Sequence, residues 1–297
     1  MPIGPPLPVI VNSAGGAAGR AGDELADRIE AAFSAADQPI ALELVDGDGL
    51  GDALARHAGA RRIVVGGGDG TISTAAAASL DSETELAVLP LGTLNHFARQ
   101  LGVPPDLEGA AKLATSGAAR RVDLAAIGDR VFINNLSAGA YVELVRRREA
   151  LRWPKFLATI PAAWRTLRKL RARTFELTLD GHAHSIRSPL LFIGNNRYEV
   201  EEGRPGERAA LDDGLLSAYA VAPLPRRALV AAALRTLAGH PRMHRDFVLD
   251  RTAREVRIDG PGSSLEVALD GEPCRFDLPL TIRIRPRALA VVASESN

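Results

Sequence analysis

Apolar and polar positions alternate in blocks along the first 125 residues. The run "LPVIV" at residues 7–11 leads through "NSAGGAAGRAG" to "DELADRIEAAFSAA", where Leu25, Ile29, Ala32 and Phe33 recur at helical spacing. The pattern predicts strand, loop, helix. It repeats: "IALELV" predicts a second strand, "LGDALARHAGA" a helix, "RRIVVG" a third strand, and the alanine-rich run after Thr71 another helix. "ELAVLPLG" then predicts a fourth strand, and "TLNHFARQLGV" one more helix. Strands that alternate with helices pair in parallel through crossover connections, so this part reads as an open α/β sheet. In such sheets ligands lie at the carboxyl ends of strands. The loops at Asn12, Gly66–Thr71 and Pro90–Thr93 all leave that edge.

After Asp123 the texture changes. Apart from a helical stretch from Ala140 to Arg171, short runs such as "TFELTLDG", "SPLLFIGN", "LLSAYAVA", "EVRIDG", "LEVALDGEP" and "LTIRIRP" are punctuated by Gly, Pro and Asp-Gly turns. That predicts a mainly antiparallel second domain, a β-sandwich. The expected division is an α/β domain at residues 1–125 and a β-rich domain at 126–285, with the tail at 286–297 packing back on the first.

Formal net charge is zero over 297 residues, which removes the bulk reason to expect nucleic acid as a partner. Cys274 is the only cysteine, so no intrachain disulfide forms. The first residues carry no basic start, and no run approaches the ~18 apolar residues of a membrane span. A cytoplasmic protein is expected, peripheral on the inner face of the membrane at most. The stretch from Leu144 to Arg173 holds ten basic residues and one acid, with Trp153, Phe156 and Trp164 among them. It is either a solvated helical face or an interfacial surface that meets anionic headgroups.

The candidate chemistry centres on "GGGDGT" at residues 66–71. A strand that ends in glycines before a helix start exposes backbone amides at the positive end of the helix dipole, an anion site. The alternative is a tight strand–helix turn with Asp69 as a helix cap. Neither G-x-x-x-x-G-K-[ST] nor G-x-G-x-x-G fits these residues. A carboxylate among phosphate-cradling amides would repel the phosphate unless a divalent cation or a transferred proton accompanies it, a constraint that a kinase with magnesium fits. His182 with His184, and His240 with His244, lack a third ligand and read as surface histidines; Cys274 reads as packing.

"GGGDGT" together with "LPLGTLNHFARQLGVP" at 89–104 closely resembles the diacylglycerol kinase catalytic-domain family, which includes sphingosine and ceramide kinases and bacterial lipid kinases. "VNSAGGAAGR", "RRVDLAAIGDRVFINNLSAGAY", "IGNNRYEVEEGRPGERAALDDGLLSAYAV" and "LDGEP" follow the family's order and spacing, with Ser13 in place of the usual proline. The resemblance implies an N-terminal domain related in fold to nicotinamide-nucleotide kinases and phosphofructokinases. It further implies ATP and Mg2+ as cofactors, and a lipid acceptor at the membrane surface, such as diacylglycerol. Asn12, Gly16, Gly67, Gly68, Gly70, Thr71, Thr93 and Asn95 would surround the nucleotide. Asp69 would hold magnesium, and Asp212 and Asp213 a structural magnesium. Glu272 would be the general base, with Asp123 near the reacting phosphate; read without the family, both are turn or scaffold residues. Thr74 and His96 stand where acidic residues are common, which bears on acceptor choice. Two other readings stay open: a kinase of a soluble acceptor, and a non-catalytic sensor on the same fold. A homodimer is compatible with either.

Overall fold

The computed structural model describes residues 5–13, 22–139, 172–199, 207–237 and 243–294. The chain divides into two compact units, Met1–Leu124 with Arg287–Asn297, and Ala125–Pro286. Gly16, His240, and the 144–173 segment up to residue 171 lie outside the described residues.

In the first unit β1 (Leu7–Asn12), α1 (Gly22–Ala35), β2 (Ile40–Val45), α2 (Leu50–Arg56), β3 (Arg62–Gly67), α3 (Asp69–Ala78) and β4 (Glu85–Pro90) alternate. Val9, Ile10 and Val11 are fully buried, as are Val64, Val65, Leu86 and Leu89. Runs this continuous belong to strands covered on both faces, the condition of a parallel sheet. The pairing is parallel throughout, with Val9 opposite Leu42 on one side and Val64 on the other, and Ile63 opposite Leu86. Strand order is β2-β1-β3-β4, and the last part of β18 (Leu280–Val292) joins β4 in parallel through Val291. The chain thus leaves β1 toward one edge and continues from β3 toward the other. Such a switch point opens a crevice outside the strand ends.

The helix predicted in "TLNHFARQLGV" is α4 (His96–Gln100), and a second one that the pattern does not predict, α5 (Leu107–Ser116), follows it. Gly102, at φ 70°, ends the first; Pro104 and Pro105 cannot continue it; and Asp106 caps the second by accepting the Gly109 amide at 2.7 Å. Arg62 closes the far end of α5. Its guanidinium donates to the carbonyls of Ala114, Thr115 and Gly117 at 2.7–2.9 Å, and pairs with Glu85. Replacing Arg62 by Ala should destabilise the protein by about 2–3 kcal/mol, since charged donors to shielded acceptors contribute about 1.5–3 kcal/mol. Urea unfolding is the check. A midpoint unchanged from wild type would mean that water serves these carbonyls equally well.

The chain enters the second unit along β5 (Ala119–Ile127), followed by β6 (Arg130–Phe132), β7 (Asn135–Gly139), β8 (Arg173–Leu179), β9 (His182–Ser188), β10 (Leu190–Asn195), β11 (Tyr198–Glu199), β12 (Glu207–Arg208) and β13 (Leu216–Val221). Next come α6 (Arg226–Leu237), α7 (Met243–Asp246), β14 (Phe247–Ala253), β15 (Glu255–Asp259), β16 (Ser264–Leu269) and β17 (Glu272–Asp277). An antiparallel sheet of order β14-β13-β10-β7-β16-β17 packs its apolar face on the strands β18, β15, β8 and β9. Leu136, Leu191, Ile193 and Val267 meet Phe175, Leu177, Val256, Ile258 and Ile282 in one core, a sandwich. The Asp-Gly hairpin signals are realised. Asp180–Gly181 and Asp270–Gly271 both have positive φ at each residue, the geometry that matches the twist of adjoining strands. Among the described residues, no helix is long and apolar enough to cross a membrane.

Candidate active site

The carboxyl ends of β1 and β3 carry the candidate nucleotide residues. Asn12, last in β1, donates from Nδ2 to Oγ1 of Thr71 at 3.1 Å, so the two loops on either side of the switch point are tied. The bare backbone of "GGGDGT" has a packing cause. A Cβ on Gly67 would lie 2.5 Å from that of Thr71, one turn into α3. A Cβ on Gly92 would lie 2.4 Å from Gly68 Cα and 2.6 Å from Asn95 Oδ1. The two glycine loops therefore touch backbone to backbone, as no residue with a side chain permits.

Asn95 sets the second loop. It occupies the left-handed region at φ 48°, which Asn tolerates better than most residues. Its Nδ2 donates to the carbonyls of Pro90 and Gly92, and its Oδ1 accepts the Gly92 amide. Thr93 and Leu94 are left exposed at the tip.

Asp69 is the first residue of α3, yet its carboxylate serves a different helix. Oδ2 accepts the amide of His96 and Oδ1 that of Phe97, both at 3.1 Å, so Asp69 caps α4. Among the described residues no side chain caps α3, whose N-cap is Gly68. The amides of its first turn are the ones left to face an incoming anion.

Asp123 is 1% exposed and accepts the Arg287 amide at 2.8 Å from Oδ1. Arg287 lies at φ 51°, and the buried carboxylate steadies this turn of the chain.

In the second unit, Asp212 and Asp213 are exposed side by side before Gly214. Glu272, exposed, is the first residue of β17 and pairs with Leu269 across the Asp270–Gly271 turn. In the sequence Asp270 is marked only as the first residue of an Asp-Gly turn. The structure gives it a second role: its carboxylate accepts the amides of Ile133, Asn134 and Asn135 at 2.8–3.0 Å. Arg208, which no sequence signal marks, is buried nearby and bonded to the same segment.

The profile of the diacylglycerol kinase catalytic domain matches residues 6–127, and that of the YegS C-terminal NAD kinase beta sandwich-like domain matches residues 134–293. The chain belongs to the YegS-like family of lipid kinases. A "probable lipid kinase YegS-like" of Pseudomonas savastanoi pv. phaseolicola is 35% identical over 250 residues, 82% of this chain and 78% of its own. Another, of Chromohalobacter salexigens, is 30% identical over 261 residues, covering 84% and 82%. The crystal structure of a diacylglycerol kinase from Bacillus anthracis superposes with a TM-score of 0.73 over 98% of this chain and 97% of that one. At 21% identity that likeness speaks for the fold.

Within this kinase family frame, the first unit brings Asn12, Gly67, Gly68, Asp69, Thr71 and Asn95 together at one sheet edge. Asp212, Asp213 and Glu272 belong to the second unit.

Proposed function

We propose that the protein transfers the γ-phosphoryl group of ATP, with magnesium, to a hydroxyl of diacylglycerol or a related lipid. The observation that carries this reading is the unequal treatment of two adjacent helix ends. Asp69 closes α4, while the first turn of α3, entered through glycines and uncapped, presents its amides to an anion. Phosphoryl transfer needs positioning and charge neutralisation more than covalent chemistry from the protein, and this edge supplies the positioning.

Magnesium fits the residues present. It is commonly held by one or two carboxylates, waters and substrate phosphates, and it neutralises phosphate charge when bound. Asp69 has two oxygens with one amide each, so further lone pairs remain for a metal or its water. Among the described residues no three His, Cys, Asp or Glu side chains cluster as a metal cage.

Glu272 is the base of the scheme. The lipid oxygen bonds to the γ-phosphorus, the bond to the β–γ bridging oxygen breaks to release ADP, and the hydroxyl proton passes to the Glu272 carboxylate. "PLGTLNHFA" favours a lipid over a soluble acceptor, since it belongs to the lipid branch of the family.

The test is transfer of radiolabel from ATP to a panel of lipids in micelles, run beside NAD and sugar phosphates and with Asp69→Ala as control. Label on a lipid that disappears in the variant supports the reading. Label on a soluble acceptor alone replaces it with the second reading, and nucleotide binding without any transfer points to a sensor.

The arginine- and tryptophan-rich stretch from 144 to 173 is the proposed membrane contact. Each basic residue near an anionic surface contributes about 1 kcal/mol, so cosedimentation should be strong with phosphatidylserine vesicles and collapse at high salt. Equal binding to neutral phosphatidylcholine vesicles would exclude it.

A further inference from the structure

We infer that Arg208 is a positioning residue for the hairpin that presents Glu272, an inference that rests on the proposed role of Glu272 as the base. Arg208 is 8% exposed, lies in β12, and spreads its guanidinium over three acceptors. Nη1 donates to the carbonyls of Ile133 at 2.6 Å and Asn195 at 3.1 Å; Nη2 donates to Asn134 Oδ1 at 3.3 Å. The ring of Tyr198 lies under the cation at 5.6 Å, and the Tyr198 hydroxyl donates to the Asn134 carbonyl.

The segment Ile133–Asn135 is thus gripped from both sides. Arg208 takes the Ile133 carbonyl and the Asn134 side chain, while the carboxylate of Asp270 takes the three amides. The Asp270 amide in turn donates to the Asn135 carbonyl at 2.9 Å. Asp270 and Gly271 form the two-residue turn, and Glu272 follows at once. A cation on the carbonyl and an anion on the amide of the Ile133–Asn134 peptide group polarise it in the same sense, which strengthens both bonds. The ladder of β16 with β7 holds the strand, but the setting of the turn is fixed through Asp270, the 133–135 segment and Arg208. Lysine cannot take Arg208's place fully, because a point charge lacks the planar fork that reaches several acceptors.

Arg208→Met keeps an unbranched apolar stem and removes every one of these bonds. With radiolabelled ATP, magnesium and dioctanoylglycerol micelles, its kcat should fall roughly 10–100-fold while KM for ATP stays within about twofold, the split that marks loss of an interaction serving only the transition state. Arg208→Lys should recover part of the loss. The decisive readout is non-additivity: Glu272→Gln should cost far less in the Arg208→Met background than in the wild type, because the base is already misplaced. A purely structural role predicts that the two losses multiply. Amide hydrogen exchange on the intact protein supplies a readout independent of turnover: residues 133–135 and 269–272 should exchange at least ~10-fold faster in Arg208→Met, or in Arg208→Lys if the former does not fold.

Unchanged exchange there, retention of more than half of wild-type kcat by folded Arg208→Met, or multiplicative losses would each overturn the inference. If Glu272→Gln alone leaves turnover unchanged, or no lipid is labelled at all, the functional reading has failed. The exchange result then still decides whether Arg208 sets the hairpin.

Discussion

Glu272→Gln is expected to lower turnover ~10²–10⁴-fold while leaving ATP binding nearly intact, the usual share of general-base catalysis. The substitution keeps the shape of an exposed side chain at the first position of β17 and removes only its ability to accept a proton. Because Asp270 and Gly271 make the turn and Asp270 alone grips the 133–135 amides, the hairpin should survive the change. Stability is therefore expected within ±0.5 kcal/mol of wild type, as for surface substitutions generally. The measurement is kcat and KM with dioctanoylglycerol, supported by isothermal titration with ATP and a thermal melt. A correctly folded variant that retains more than a tenth of wild-type turnover would reduce Glu272 to a strand residue beside an Asp-Gly turn.

Asp69→Asn should raise the dissociation constant for magnesium-ATP by roughly 10–100-fold, since a metal-directed carboxylate becomes a neutral amide. The structure separates two contributions that one activity assay would merge. Asp69 accepts the amides of both His96 and Phe97, and the Asn amide group offers one oxygen and a donor that conflicts with the second. That loss at the α4 cap costs about 1 kcal/mol in the absence of any nucleotide. The metal role shows only as a smaller rise in melting temperature on adding magnesium-ATP, because a ligand stabilises the folded state according to its concentration relative to Kd. A variant that melts lower yet gains as much from magnesium-ATP as wild type would leave Asp69 with the cap alone.

Much of the architecture was legible in the residues. Periodicity of two or 3.6 is a property of neighbouring positions, so the strand runs at 7–11, 40–45 and 85–90 declare themselves, as do the helices between them. The two Asp-Gly turns are equally local, since their positive φ values depend on residue type within the turn. The break between α4 and α5 was written there too, in Gly102, Pro104, Pro105 and Asp106, although apolar spacing alone passes over it.

What the sequence could not determine was the partner of each candidate carboxylate. Asp69 bonds 27 and 28 residues away, Asp270 135 to 137 residues away, and Asp123 164 residues away. In every case the partner is a backbone amide, a donor that every residue except proline carries, so no complementary residue marks the far end of the bond. Two glycine loops with a carboxylate between them are readable as a pattern. That the carboxylate caps α4 and leaves α3 open, and that a buried arginine grips the other face of the segment holding Asp270, follows only from which backbones the tertiary fold brings side by side.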